Sequence, residues 1–264
     1  MPDPEALRSP GGVHVDLDGG VAVVVIDRPE ARNAIGFATA DELDAALDRI
    51  LATDAAVVVL RGGGDRAFVS GGDLKDFSAI RTHPEAAAMA RRVRALLDRV
   101  AAFPVPVIAA LNGHALGGGA EVAVAADVRI AADDVKIGFN QAALGIMPAW
   151  GGAERLAQLI GRGRALLAIT TGQLYDAASA ERLGLVDRVV PRPQFDNEWR
   201  CLAQALASTA PGTTRAVKSV IDAAVPPCRP ELAPDAIDAF ARLWEADAHW
   251  AAVEGLEHQR AAKR

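Results

Sequence analysis

The chain has 264 residues, 51% of them hydrophobic but only 5% aromatic, and a formal net charge of −6. That length is ample for a large core, which Ala, Val, Leu and Ile must supply. The acidic balance argues against a nucleic-acid partner, and there is no uncharged apolar run of the ~18 residues a membrane span needs. Cys201 and Cys228 lack metal-ligand spacing and read as reduced thiols. The acidic start Met1-Pro-Asp-Pro-Glu5 has no apolar stretch and is not a signal peptide, so a cytoplasmic protein is expected.

In chain order, residues 14–17 and 21–26 flank Gly19-Gly20 and predict a hairpin. A polar loop follows over 27–34. Residues 39–51 carry Leu43, Ala46, Leu47 and Ile50 at helical spacing. The run 56–60 is an apolar strand, and Phe68-Val69 leads into the turn Ser70-Gly71-Gly72-Asp73. A helix is predicted over 85–100. A buried strand over 105–111 then runs into Asn112-Gly-His-Ala-Leu-Gly-Gly-Gly-Ala-Glu121 and an apolar helix continuing to Ala126. Short strands are expected at 128–130 and 135–137. From Gly151 the pattern is helical over 153–160, 164–169 and 177–183, interrupted by 185–190, with a boundary at Pro191–Pro193. Residues 195–207, 213–224, 234–246 and the last segment to Arg264 read as helices alone. A strand-strand-helix unit recurs in the first half. The order predicts an α/β core over 1–193 followed by an all-helical region over 194–264. Three of the four tryptophans, Trp199, Trp244 and Trp250, fall in that region, to be buried on the chain's own core or at a subunit interface.

The chemistry centres on two glycine turns. A strand, a glycine triplet and a helix start aim unpaired N–H groups at one point, where the helix dipole adds partial positive charge. Ser70–Asp73 is a second such turn, and two converging donors make an oxyanion hole. Glu121 lies in the first turn of the helix, within reach of whatever those donors hold. His114 reads as a hydrogen-bonded structural residue and His249 as a surface or interface residue. No His/Cys/Asp/Glu cluster has metal spacing. Gly62-Gly63-Gly64 lacks the Gly-Lys-Ser/Thr of a phosphate loop, and no Gly-x-Gly-x-x-Gly opens a helix after the first strand.

Four linked motifs carry a family resemblance: Ala67-Phe-Val-Ser-Gly-Gly-Asp-Leu-Lys75, the Asn112–Glu121 stretch, Gly145-Ile-Met-Pro148 with Gly151-Gly152, and Ala177-Ala-Ser-Ala-Glu-Arg-Leu-Gly-Leu-Val186. In order and spacing they resemble the crotonase (enoyl-CoA hydratase/isomerase) superfamily over nearly the whole chain. The resemblance implies an α/β spiral of ββα units and a C-terminal helical region used to form a homotrimer or a dimer of trimers. It implies an acyl-CoA thioester as substrate, with coenzyme A part of that substrate and no separate cofactor. The backbone N–H groups of Ser70 and Gly118 would hold the enolate oxygen, and Glu121 would be the acid/base. Arg32, Asn33, Ala34, Ser70, Gly72, Asp73 and Leu74 would lie along the CoA, the side chain of Asp73 being better suited to capping the next helix. Trp150 and Met147 would border the acyl group.

One position departs from the pattern. Twenty residues after Glu121, where hydratases of the family carry a second glutamate, stands Gln141. An amide orients water or a ligand but is not a general acid. A single carboxylate suits a 1,3-proton shift, or protonation of the enolate left by loss of CO2. Trp150 before Gly151-Gly152 is similar to the alkylmalonyl-CoA decarboxylase branch, where an apolar wall would favour departure of a desolvated carboxylate as CO2. The readings are hydration or isomerisation of an enoyl-CoA, decarboxylation of a methyl- or ethylmalonyl-CoA, and, from another class, non-catalytic acyl-CoA binding.

Overall fold

A computed structural model describes residues 12–210, 212–225 and 233–261. The start Met1–Glu5 and Cys228 lie outside the described residues, while Cys201 is an exposed free thiol. Two sheets form the centre. The larger contains β1 (Val13–Asp18), β2 (Val21–Ile26), β3 (Val57–Gly62), β5 (Val107–Leu111), β7 (Val128–Ala132) and β10 (Arg188–Val190), side by side in that order. The hairpin β1–β2 is antiparallel and all the other pairs are parallel. The smaller sheet has the order β4 (Ala67–Val69), β6 (His114–Leu116), β8 (Lys136–Gly138), β9 (Leu174–Asp176). Strand β5 and residues 57–60 of β3 read as unbroken apolar runs because both of their faces are covered, as parallel strands require.

The chain alternates between the sheets. Each of β3–β4, β5–β6 and β7–β8 passes from the large sheet to the small one and then into a helix: α3 (His83–Ala101, after the short α2, Leu74–Phe77), α4 (Gly118–Ala125) and α5 (Gly152–Ile160). This is the expected spiral of ββα units, joined by α1 (Phe37–Leu51) at its start. Two short strands add to the sequence expectation. Leu174–Asp176, between the helices expected at 164–169 and 177–183, pairs antiparallel with β8, and Arg188–Val190, inside the break expected at 185–190, joins β7 as the parallel edge of the large sheet. Each is three residues long, too short to carry a strand period, so only its tertiary partner makes it a strand.

The C-terminal helices are α6 (Arg162–Thr171), α7 (Ala177–Leu183), α8 (Phe195–Ala207), α9 (Thr213–Ala224), α10 (Ala233–Glu245) and α11 (Asp247–Ala261). Helix α8 packs on the large sheet and buries Trp199 there. Helix α10 packs along α3 of its own chain: Trp244 Nε1 donates to the Ile80 carbonyl (3.0 Å), and the Glu245 carboxylate accepts from the His83 N–H (3.0 Å). The tryptophans Trp199 and Trp244 are therefore buried on the chain's own core. No described helix is long and apolar enough to cross a membrane.

One buried charge ties the edge strand to the core. Arg129, 1% exposed, donates to the Ala126 carbonyl (2.8 Å) and pairs with Asp187 (2.6 Å), whose carboxylate also accepts the Arg129 N–H. Removing the partner of a buried charge leaves it unpaired at a cost of about 3 kcal/mol. Asp187→Ala is expected to lose about that much in urea unfolding, whereas Asp16→Ala on the exposed β1 strand should change stability by less than ~0.5 kcal/mol.

Candidate active site

Strands β4 and β6 are parallel neighbours, with Val69 opposite Ala115, so the turns that follow them leave the same edge of the small sheet. The glycine triplet brings these turns together. Gly117 caps α4 with φ 56°. A Cβ on Gly119 would lie 1.8 Å from the Val69 carbonyl oxygen, so only glycine lets α4 sit against β4. A Cβ on Gly118 would lie 2.2 Å from the Trp150 ring, and one on Gly71 would lie 3.5 Å from the Gly118 nitrogen. The Gly118 N–H, at the start of α4, makes no hydrogen bond among the described residues. Ser70 differs from expectation: its N–H donates to the Arg32 carbonyl at 3.1 Å. Arg32 is left-handed (φ 54°, ψ 36°) and presents that carbonyl to the turn, so of the two expected donors only Gly118 is unengaged.

The loop expected along the CoA is laced to the same turn. Asn33 is fully buried: its Oδ1 accepts the Arg28 N–H (3.0 Å), and its Nδ2 donates to the carbonyls of Gly63 (3.0 Å) and Ala67 (2.7 Å). Arg28 donates to the Ala34 carbonyl (2.8 Å) and pairs with Asp73 (2.9 Å). Asp73 also caps α2 by accepting the Lys75 N–H (3.1 Å), the role its position suggested. The side chains of Asn33 and Asp73 and the carbonyl of Ala34 are thus engaged within the protein itself. Arg32 is exposed, and Gly72 and Leu74 are partly so. Arg28, the hub of the lacing, was not singled out in the sequence; an arginine before a Pro-containing polar loop looks like any solvated charge.

Glu121 is 2% exposed and faces inward. Its Oε2 accepts the N–H groups of Trp150 (2.7 Å) and Gly152 (3.0 Å), at the N-terminal end of α5. Its Oε1 accepts from Gln141 Nε2 (3.0 Å). A carboxylate only accepts, so this contact fixes the Gln141 amide and leaves the buried Gln141 Oε1 without a partner among the described residues. Burial raises the pKa of Glu121 to about 7, against the lowering pull of the Gly152 and Trp150 amides and of the Arg155 charge. A Cβ on Gly152 would lie 2.3 Å from Glu121 Cγ, which accounts for a glycine there. Arg155, also unforeseen, holds this segment: it donates to the Trp150 carbonyl (3.0 Å) and pairs with Asp98 on α3.

The motifs therefore bring Glu121, Gln141, Gly118 and Trp150 together. Met147 is half-buried and packs against the core. His114 is exposed and accepts the Lys136 N–H (3.0 Å), the structural role expected of it. His249 is a correction: it is 0% exposed, enclosed by Trp244 and Trp250, because α11 folds back onto the 3-10 helix Asn140–Leu144.

The enoyl-CoA hydratase/isomerase family model matches residues 16–255. The chain belongs to the enoyl-CoA hydratase/isomerase family. It is 36% identical to a short-chain-enoyl-CoA hydratase of Clostridium acetobutylicum over 211 residues, 80% of either chain. It is 37% identical to a putative enoyl-CoA hydratase/isomerase of Bacillus subtilis over 205 residues, 76% of this chain and 78% of that one. Among solved structures, an enoyl-CoA hydratase from Mycobacterium avium subsp. paratuberculosis superposes with a TM-score of 0.83 at 26% identity, covering 93% of this chain and 99% of that one. A carnitinyl-CoA hydratase from Mycobacterium avium superposes at 0.82 with 28% identity, covering 95% and 97%. The protein is an enzyme of this family, with the crotonase fold.

The raised pKa has a consequence for stability. A carboxyl whose folded pKa lies above its unfolded value weakens the fold as the pH climbs from 4.5 to about 7. The loss is on the order of 3 kcal/mol. Glu121→Gln keeps the shape and an acceptor oxygen but has no charge to desolvate. In melting curves the variant is expected to exceed the wild type by roughly 5 °C at pH 8, and the gap should close at pH 5. A gap independent of pH would mean that Glu121 does not titrate in this range.

Proposed function

We propose that this enzyme acts on an acyl-CoA thioester through its enolate, with Glu121 as the single acid/base, and that its reaction is a proton shift along the acyl chain. The observation that carries the reading is the Gln141–Glu121 hydrogen bond: the place of a second acid holds an amide, fixed on the first. The Gly118 N–H, at a helix start and without an acceptor among the described residues, is the donor for the thioester oxygen. The Ser70 N–H joins it only once the thioester oxygen takes the place of the Arg32 carbonyl. In a 3-enoyl thioester, ionised Glu121 removes a proton from the α-carbon, the electron pair delocalises onto the oxygen, and the same carboxyl returns the proton at the γ-carbon. Hydration adds water to the double bond, and Gln141 leaves that reaction without a second titratable group.

A second reading rests on Trp150, 6% exposed and seated over Gly118 between the two turns. An apolar wall there desolvates a malonyl-type carboxylate. The C–C bond then breaks, CO2 leaves, and protonated Glu121 delivers its proton to the α-carbon of the enolate. The two reactions need opposite forms of Glu121. Isomerisation should rise with pH to a plateau above about 7, whereas decarboxylation should fall over the same range. Incubation with 3-hexenoyl-CoA, crotonyl-CoA and ethylmalonyl-CoA, each followed against pH, decides between them. Hydration of crotonyl-CoA as the fastest reaction would overturn the proton-shift assignment. Binding of all three without turnover would leave only the acyl-CoA binding reading.

For assembly, we infer that residues 194–264 carry self-association through α9, as a homotrimer or a dimer of trimers. That helix is docked by its polar side: Lys218 donates to the Ala101 carbonyl (3.2 Å) and pairs with Asp127, while Thr214 donates to the Ala56 carbonyl (3.3 Å). Val217, Val220 and Ile221, one helical stripe, stay exposed, Val220 at 70%. Val220→Glu is expected to shift the sedimentation coefficient from oligomer to monomer; an unchanged oligomer would place the contact elsewhere.

A further inference from the structure

Outside the acid/base site, His249 is a buried titratable group with a hydrogen-bonding atom that has no partner among the described residues. Its Nδ1 lies 2.6 Å from the Leu144 carbonyl, and a carbonyl only accepts, so Nδ1 carries the hydrogen. Its Nε2 is buried and has no partner among the described residues. Burial lowers the pKa of the ring, which keeps it neutral near pH 7 and leaves Nε2 as a bare acceptor. A desolvated acceptor without a donor has lost its hydrogen bond to water with nothing in return, a loss that a ligand bearing a donor would make good.

His249 forms part of the wall of a cavity of about 220 Å³ whose apolar lining comes from Leu74, Phe77, Trp244, Trp250 and Val253, with Arg81 and Glu254 among its polar walls. The cavity adjoins the reaction site by two routes. Phe77 lies 2.7 Å from the Cβ position of Gly72, which the Trp150 ring approaches from 3.5 Å. His249 is hydrogen-bonded to Leu144, on the same five-residue 3-10 helix as Gln141. Three residues of such a helix rise about 6 Å, so the His249 anchor lies roughly one turn from the group that holds Glu121.

Building on the acyl-CoA reading above, we infer that this cavity takes the distal end of the acyl group and that His249 is a specificity-determining residue, accepting a hydrogen bond from a hydroxyl carried on that end. The favoured substrates are then acyl thioesters with an apolar body and one alcoholic or phenolic hydroxyl. A site with a buried acceptor discriminates by penalising the analogue that leaves it unpaired. The chemistry at the α-carbon is untouched, so the effect falls on binding.

Titration calorimetry on the full-length protein tests this with two matched pairs: hexanoyl-CoA against 6-hydroxyhexanoyl-CoA, and 3-phenylpropanoyl-CoA against 3-(4-hydroxyphenyl)propanoyl-CoA. In at least one pair the hydroxylated thioester is expected to bind roughly 10-fold tighter. Equal or weaker binding of both hydroxylated ligands overturns the inference while leaving the acyl-CoA reading intact. Failure of all four thioesters to bind overturns both. His249→Phe keeps the ring and removes both nitrogens. It should reduce the ratio between the hydroxylated and plain thioesters to about one-fold, whatever it does to the affinity for the plain thioester. A preference that survives in this variant assigns the hydroxyl contact to another residue and also overturns the inference. Should the variant not fold, the matched pairs on the wild-type protein still decide.

Discussion

A carboxyl group held away from water by two main-chain amides and one side-chain amide is the constraint on which the rest of the site depends. Burial alone favours the neutral acid, whereas hydrogen-bond donors or a nearby cation favour the carboxylate. Desolvation pulls its pKa up, the Trp150 and Gly152 amides pull it down, and the balance lies at about 7. Both forms are then accessible near neutrality, which is what a group that takes and returns a proton requires. The charge of Arg155 acts in the same downward sense, while its hydrogen bond to the Trp150 carbonyl fixes the segment that supplies the amides.

Gln141 completes that balance in a way a second carboxylate would not. Two acids in hydrogen-bond contact cannot both ionise, and the proton they share belongs to the pair. With an amide at 141 the titration belongs to Glu121 alone, and the amide is oriented by the charge it faces. The unpaired Gln141 oxygen is left on the far side of that contact as an acceptor for a ligand donor or a water. The site therefore brings together one titratable carboxyl and one amide. That asymmetry is the feature on which the proposed proton shift rests.

What could be read from the sequence was whatever is local. The glycine triplet, Glu121 three residues after its first helical N–H, Gln141 in the hydratase register and the strand-strand-helix rhythm all sit within short stretches whose geometry follows from residue type. What could not be read depends on partners far along the chain. Asn33 looks alike whether it binds a ligand or three backbone groups of its own protein, since either use requires a polar residue at a fixed turn position. The engagement of Ser70 by Arg32 and the anchoring of Trp150 by Arg155 are products of tertiary approach. The burial of His249 is another, because nothing in a polar, weakly amphipathic terminal helix says which surface it will fold onto. Strand β9 escaped for the same reason: three residues, two of them exposed, become a strand only beside Lys136–Gly138.

The two halves of the C-terminal region solve opposite packing problems. Helices α10 and α11 turn aromatic residues inward, and the Phe240, Trp244, His249 and Trp250 rings stack into a cluster against α3 and the Asn140–Leu144 turn of their own chain. Helix α9 does the reverse, spending Lys218 and Thr214 on the core and leaving a valine–isoleucine stripe outward. A helix docked through a lysine whose ammonium must find a carbonyl and a carboxylate gains little from hydrophobic burial within its own subunit. Its apolar stripe becomes stabilising only when another surface covers it. By contrast, the aromatic cluster packs against its own chain. The proposed self-association and the proposed acyl-end cavity therefore fall on different helices of one region, and a change that breaks the first need not disturb the second.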